Sequence, residues 1–165
     1  MFVYRLHAFA AAGTANASTA QGAKRVISNA ISREADGEHA TAAPTTIYVC
    51  ITCRRPDDSE AFPRPGATLA RMTARAAEGT SIIVKRVRCL ANCPRGPSAC
   101  IRRHEGWSYI FGGLAAFADG AALVEGARLL ASSSDGLMPW RGRPAALKRG
   151  LIARVPPLDF REDLE

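Results

Sequence analysis

The sequence lacks any long apolar run, and aromatic residues make up only 7% of it. A membrane-spanning helix needs about 18 or more consecutive apolar residues, so we expect no membrane association. We also expect no secretory leader, because Arg5 and His7 interrupt the apolar stretch at the start of the sequence. These absences predict a cytoplasmic protein.

Lysine is scarce, with three lysines against nineteen arginines, and the net charge is +7. Such an arginine bias is typical of a GC-rich genome, but a basic surface also favours acidic partners. The basic residues do not form a stripe interleaved with aromatic residues, which is the pattern of nucleic-acid-binding surfaces. We therefore expect an acidic redox partner protein and no nucleic acid.

Recognisable catalytic constellations are also missing. No serine, histidine and acid occur together in a context typical of a nucleophile, and FGGL is too short to hold a phosphate. We expect His104 to be solvated in a turn, and Asp57, Asp58 and Glu60 to form a solvated acidic loop. The sequence thus contains no predicted catalytic residue and favours a non-enzymatic electron-transfer or metal-binding protein.

The composition and the apolar patterning of the chain change near residue 46. Residues 1–45 are mostly small and polar without sustained periodicity, so we predict a disordered extension there. TIYVC, which follows, is a β-branched and aromatic run typical of a buried strand. ATLARMTARAAE predicts a helix, because Leu69, Met72 and Ala76 recur at helical spacing. SIIVKRVRC predicts a second strand, parallel to the first and covered on both faces.

The remaining elements complete a known arrangement. SACIRRHEGWSYIFGG predicts an antiparallel hairpin that turns at RHEG. Apolar residues then recur at helical spacing, with Asp119 as the N-cap of a second helix. The order strand, helix, strand, strand, strand, helix is that of the minimal thioredoxin-like domain. We therefore predict an α/β, thioredoxin-like domain over residues 46–165, with a packed C-terminal tail.

The tail contains the segment PWRGRP, for which two interpretations stay open. Met138 and Trp140 could anchor the tail, with Trp140 covering an edge of the core and the arginines in water. Alternatively, Trp140, Arg141 and Arg143 could form a docking surface for a redox partner.

Four of the five cysteines fall into two pairs that follow the predicted parallel strands. Cys50 and Cys53 follow the first strand, and Cys89 and Cys93 follow the second. Because the carboxyl ends of parallel strands meet at one edge of a sheet, we expect these four thiols to converge on one metal centre. Cys100, on the predicted third strand, is expected to be buried filler.

The residues around the pairs suit thiolate ligands. Positive charge lowers the pKa of a thiol and offsets the charge of a tetrathiolate site. We expect Pro94 and Gly96 to turn the loop so that backbone N–H groups face sulfur. The arginines that flank the pairs are Arg54, Arg55, Arg86, Arg88 and Arg95.

The nature of the centre stays open between three classes. A 2Fe–2S cluster and a zinc site both use four cysteines, but zinc ribbons usually place two CxxC pairs about 15 to 20 residues apart. Here the pairs are CxxC and CxxxC, with 35 residues between them. A thiol oxidoreductase that uses Cys50 and Cys53 is the third class, although a proline-rich loop, not a helix, follows CITC.

Several motifs over residues 46–158 resemble a family of small bacterial predicted metal-binding proteins of unknown function. That family is similar to the thioredoxin-like 2Fe–2S ferredoxins, and its genes often lie near genes for cobalamin biosynthesis. The resemblance implies a metal or cluster on Cys50, Cys53, Cys89 and Cys93: a 2Fe–2S electron carrier or, alternatively, a zinc- or cobalt-binding protein in metal handling linked to cobalamin metabolism. The ferredoxins usually space their first pair more widely than CxxC. The motifs are YVCITCRRP, VRCLANCPRG, GWSYIFGGL, SSDGLMPWRGRP and KRGLIARVPP.

Overall fold

A computed structural model describes residues 44–55, 58 and 62–161 of the chain. Apart from Pro44 and Thr45, the predicted extension lies outside the described residues, and so do Asp57 and Glu60 of the predicted acidic loop. The elements are β1 (Thr46–Cys50), α1 (Pro65–Ala76), β2 (Ile83–Val87), a 3₁₀ turn (Cys93–Arg95), β3 (Ala99–Arg102), β4 (Ser108–Phe111), α2 (Gly120–Ala131), α3 (Ala145–Arg149) and β5 (Leu151–Val155).

The strands form one mixed sheet in the order β2-β1-β3-β4-β5. β1 and β2 are parallel, with Cys50 opposite Val87, and all the other neighbours are antiparallel. A β1–α1–β2 unit followed by β3, β4 and α2, with this strand order, is the thioredoxin-like topology. The predicted fold class is therefore confirmed.

Both long helices pack on one face of the sheet, where the core lies. Alternate residues of the central strands, such as Ile47, Ile101 and Phe111, are fully buried there because successive side chains point to opposite faces. The two helices approach closely at Gly120, where a Cβ atom would lie 2.7 Å from the carbonyl carbon of Met72. Glycine at this position lets the backbones touch. None of the described helices is both long and apolar enough to cross a membrane.

One local prediction was wrong, and a second was right in position but not in its hydrogen bond. β2 is the edge strand of the described sheet and is mostly exposed, with Ile83 39% accessible, because none of the described strands pairs with its outer side; it is not covered on both faces. Asp119 is the N-cap residue of α2, as predicted, but its carboxylate accepts the N–H of Ala115 at 2.7 Å and no helix N–H. It therefore closes the turn before the helix.

The C-terminal segment does more than pack on the domain, because β5 adds a fifth strand to the sheet beside β4. Leu147 of α3 is fully buried, and so is Met138, at 2% exposure. The expectation that Trp140 covers a core edge was wrong, and the expectation that the arginines lie in water holds for Arg141 but not for Arg143. Trp140 is 61% exposed, and Arg143 is buried.

Candidate metal centre

The two cysteine-bearing loops leave the sheet at one edge, as the parallel strands predict. Cys50 ends β1 beside Val87 of β2, and the N–H of Ile51 donates to the carbonyl oxygen of Val87 at 2.9 Å. On the other side of β1, the N–H of Cys50 donates to the carbonyl oxygen of Ser98 at 3.0 Å. The segment 88–98, which carries Cys89 and Cys93, therefore connects the two strands that flank Cys50.

Cys50 and Cys53 form a buried pair. Their exposed fractions are 1% and 3%, and their thiols are hydrogen-bonded to each other. The Sγ atom of Cys50 also lies 3.4 Å from the carbonyl oxygen of Arg88 and 3.6 Å from Oγ1 of Thr52. The Thr52 hydroxyl donates to the same Arg88 carbonyl. The first pair is thus in contact with the residue immediately before Cys89.

Cys53 contacts the C-terminal end of segment 88–98, just before β3. Its thiol is hydrogen-bonded to Ser98, which is fully buried and whose hydroxyl accepts from Nδ2 of Asn92 at 2.8 Å. Gly96 lies against Cys53, since a Cβ atom on Gly96 would be 3.2 Å from the Cβ of Cys53 and 3.4 Å from its Sγ. Segment 88–98 therefore touches both thiols of the first pair.

The first residues of α1 pack directly against the backbone of the CITC segment. The N–H of Gly66 donates to the carbonyl oxygen of Cys53 at 2.9 Å. A Cβ atom on Gly66 would overlap the carbonyl oxygen of Cys50 and lie 3.1 Å from the backbone nitrogen of Cys53. Glycine is required for this close approach of helix and loop.

Cys89 and Cys93 lie on the surface of the same loop. Both are exposed, and all five cysteines are free thiols. The N–H of Ala91, a residue with φ of 55°, donates to Sγ of Cys89 at 3.2 Å. Within the described part of the chain, no three Cys, His, Asp or Glu side chains are arranged to hold a metal ion. Two of the four predicted ligands are therefore brought together, and the other two lie on the loop that contacts them.

The thiols of the buried pair differ in pKa. Burial alone would raise the pKa of Cys50, but hydrogen bonds with Cys53 and Thr52 outweigh burial and leave the pKa below its ordinary value. Burial, followed by the hydrogen bond with Cys50, raises the pKa of Cys53 to about 11. Hydrogen bonding and burial therefore determine these shifts, and the expectation that arginine charges lower the pKa values was wrong for this pair.

Backbone N–H groups do face sulfur, but not those that the sequence predicted. Leu90 and Ser98 donate to Cys50 and Cys53, and Ala91 donates to Cys89. The N–H of Gly96 donates instead to the carbonyl oxygen of Cys93, at 3.2 Å. Such donors stabilise a thiolate.

The arginines form an exposed rim rather than direct partners of the thiols. Arg86, Arg88 and Arg95 are exposed and make no ion pair with the described acidic residues. Arg55 donates to the carbonyl oxygen of Leu114 at 3.4 Å. These side chains leave a positive surface around the cysteine loops.

The other sequence candidates lie elsewhere. Cys100 is half-buried on the sheet face opposite the helices, between Tyr48 and Ile110, and burial raises its thiol pKa. It is not part of the helix-covered core, so its expected place as buried filler was only partly right. His104 lies exposed in the hairpin turn, as predicted, 3.7 Å from the carboxylate of the adjacent Glu105.

Sequence reasoning missed four residues that shape this centre: Thr52, Gly66, Asn92 and Ser98. Thr52 lies inside the CITC motif, so its hydroxyl was a detectable signal. No local pattern marks Gly66, Asn92 or Ser98, because their roles depend on contacts between segments that are distant in sequence.

Residues 47–157 match the model of a family described as Protein of unknown function (DUF1636). No curated protein matches the chain. Two solved chains match it, both of a thioredoxin-like [2Fe-2S] ferredoxin from Aquifex aeolicus. The first is 16% identical with a TM-score of 0.46, and the match covers 72% of this chain and 100% of that one. The second, the wild-type protein, is 12% identical with a TM-score of 0.42, and the match covers 68% of this chain and 99% of that one.

Because the family model spans more than half of its length, this chain belongs to the DUF1636 family of proteins of unknown function.

Proposed function

We propose that this protein binds a 2Fe–2S cluster through Cys50, Cys53, Cys89 and Cys93 and acts as an electron carrier. The observation that supports the proposal most directly is the contact between the Cys50 thiol and the carbonyl oxygen of Arg88, the residue before Cys89. Four free thiols thereby lie on two touching loops at one edge of the sheet. Tetrathiolate coordination is the donor set of such clusters.

The four thiols are the right ligands for a 2Fe–2S cluster, but only two of them already lie next to each other. Cys50 and Cys53 are adjacent, whereas binding through all four residues requires the exposed thiols of Cys89 and Cys93 to turn inward. A 2Fe–2S cluster, when bound, takes up and releases one electron. The chain's own contribution is a pair of buried thiols, shielded from water, with N–H donors from Leu90 and Ser98 that stabilise negative sulfur.

The exposed arginines around the cysteine loops would select the partner protein by its charge. Arg86, Arg88 and Arg95 surround the loops without acidic partners among the described residues, so they are available to attract an acidic protein. Reduced thiols are maintained in the cytoplasm, which is where we place this function.

The test is a visible spectrum of protein purified without oxygen, with iron, acid-labile sulfide, zinc and cobalt counted per chain. We expect about two irons and two sulfides, and a colour that dithionite bleaches, as for a 2Fe–2S cluster. Cys→Ser changes at each of the four positions should abolish the colour, and the matched control Cys100→Ser should keep it. One zinc or cobalt without sulfide would reject the electron carrier in favour of metal handling, and absence of metal and sulfide would reject both.

A dithiol oxidoreductase is the second candidate, favoured by the hydrogen bond between the thiols of Cys50 and Cys53. Two electrons and two protons would pass to a disulfide substrate as a Cys50–Cys53 disulfide forms. It ranks second because the first N–H of α1 reaches the carbonyl oxygen of Cys53 rather than a sulfur, so the helix does not activate the thiol. Disulfide reduction that survives the double change Cys89→Ser, Cys93→Ser and is lost in Cys50→Ser would support it.

A further inference from the structure

A cleft of about 590 Å³ lies beside β4 and β5, and the segment 132–143 forms its other wall. Tyr109 of β4 and Arg154 of β5 are paired in register and both line the cleft. Tyr109 also pairs with Ile101, which pairs with Ile47 near the start of β1. In the order of the sheet β4 and β5 lie two and three strands away from β1, which carries Cys50, and no cysteine lines the cleft, so the proposed cysteine centre does not use it.

Arg143 is the unusual residue of this cleft. Its exposed fraction is 7%, and its guanidinium lies over the rings of Tyr109 and Trp140, 5.4 and 5.3 Å from their centroids. One of its terminal nitrogens donates to the carbonyl oxygen of Met138, while its Nε is buried and has no hydrogen-bond partner among the residues that the structure describes. Among the described residues no carboxylate forms an ion pair with it.

A buried cation without a counterion is unfavourable, because two aromatic rings and one carbonyl oxygen replace only part of the hydration that burial removes. Burial lowers the pKa of Arg143, Tyr109 acts in the opposite direction, and the positive charge of Arg154 lowers the pKa further. Buried charges in proteins are, as a rule, paired with an opposite charge. The missing partner of Arg143 is therefore expected to be an anion that enters the cleft.

A second cation faces the same space. Arg154 is exposed on β5, and its guanidinium stacks on Trp107, 4.9 Å from the ring centroid. Asp135, the acidic residue of the lining, already accepts hydrogen bonds from the Ser133 hydroxyl at 2.7 Å and the Leu137 N–H at 2.9 Å. The hydrogen-bond donors of this carboxylate therefore come from its own loop. The rest of the wall is mixed: Ser132, Ser133 and Ser134 are polar, and Leu137, Met138 and Leu151 are among its apolar residues.

We propose that this cleft binds a small organic anion, whose carboxylate or phosphate group pairs with Arg143 and Arg154 and whose apolar part packs on the Met138 side of the wall. Guanidinium groups bind such oxyanions through paired, charge-assisted hydrogen bonds. The volume of the cleft suits a small ligand. The site is independent of the cysteine centre, and it gives a role to the PWRGRP segment.

The experiment is calorimetric titration of the full-length protein with sodium benzoate and, separately, with inorganic phosphate, at constant ionic strength. We expect at least one probe to bind, with Kd weakened at least tenfold by Arg154→Ala and by Arg143→Leu. Arg141→Ala is the matched control, because Arg141 is an exposed arginine of the same segment that does not line the cleft, and it should leave Kd unchanged. Cys50→Ser should also bind normally.

The proposal is overturned if neither probe binds, or if Arg141→Ala weakens binding as much as Arg154→Ala, since that result would reflect general attraction to a positive surface. Binding of an acidic peptide without binding of either probe would also overturn it, and would identify a protein-docking surface instead. Because Arg143 is buried, Arg143→Leu tests folding as well as binding; Arg154→Ala changes an exposed residue, so its effect on Kd decides the test.

Discussion

The Sγ atom of Cys50 lies 3.4 Å from the carbonyl oxygen of Arg88, although the two residues are 38 positions apart in the sequence. This contact joins the loop that follows β1 to the loop that follows β2. It depends on the parallel pairing of the two strands and on the close seating of α1 beneath the CITC segment. Changes in either feature should therefore affect both cysteine pairs.

The first prediction concerns Gly66. Gly66→Ala should destabilise the protein by about 1 to 3 kcal/mol, because the added methyl group overlaps the carbonyl oxygen of Cys50. Helix propensity alone predicts the opposite sign, since alanine is favoured over glycine by about 1 kcal/mol. Urea unfolding of the metal-free protein measures the change. As the control, Ala74→Gly at an exposed position of α1 should cost about 1 kcal/mol. A neutral or stabilising Gly66→Ala would contradict the close approach.

The second prediction concerns the end of α2. One guanidinium nitrogen of Arg103 lies 3.2, 3.3 and 2.7 Å from the carbonyl oxygens of Leu130, Ala131 and Ser133, of which the Leu130 oxygen also accepts the N–H of Ser133 at 3.3 Å. Arg103→Ala should lower the free energy of unfolding by about 1 to 2 kcal/mol. Arg102→Ala, an exposed neighbour, should change it by no more than about 0.5 kcal/mol. Equal effects of the two changes would show that the contacts contribute nothing.

The third prediction concerns the pH dependence of the metal-free, reduced protein. The pKa of Cys53 is about 11 in the folded chain and 9.0 for an unperturbed thiol. Between these values the folded state holds a proton that the unfolded state has lost, so stability falls as the pH rises. Cys53→Ala should remove this part of the fall between pH 9 and 11. Thermal unfolding of the two proteins across that range tests it, and identical slopes would refute the raised pKa.

The fourth prediction tests whether the C-terminal segment belongs to the folded domain. Leu147 of α3 is fully buried, whereas Leu158 is fully exposed. Leu147→Ala should cost about 2 to 5 kcal/mol, because it removes buried methyl groups and leaves a cavity. Leu158→Ala should cost no more than about 0.5 kcal/mol. If chemical unfolding gave similar values for both, α3 would not be an integral part of the core.

Strand and helix order could be predicted because the local patterns were strong. The β-branched run at 46–50 and the apolar spacing in α1 and α2 matched the observed elements. The prediction that β2 is covered on both faces failed. Ile82, the buried residue of the apolar run, lies just before the strand, and the strand itself lies at the edge of the sheet. Position within a sheet depends on which strands pair, and no local pattern encodes that.

The sequence by itself determined the thioredoxin-like order of elements and the two cysteine pairs at the ends of parallel strands, because both follow from short-range periodicity and strand direction. Only the tertiary structure decided that Cys50 and Cys53 are buried while Cys89 and Cys93 are exposed. It also decided that Arg143, and not Trp140, is the buried residue of its segment. Burial, hydrogen bonding and the pKa differences that follow depend on contacts between distant segments, and those contacts exist only once the sheet and both helices are packed.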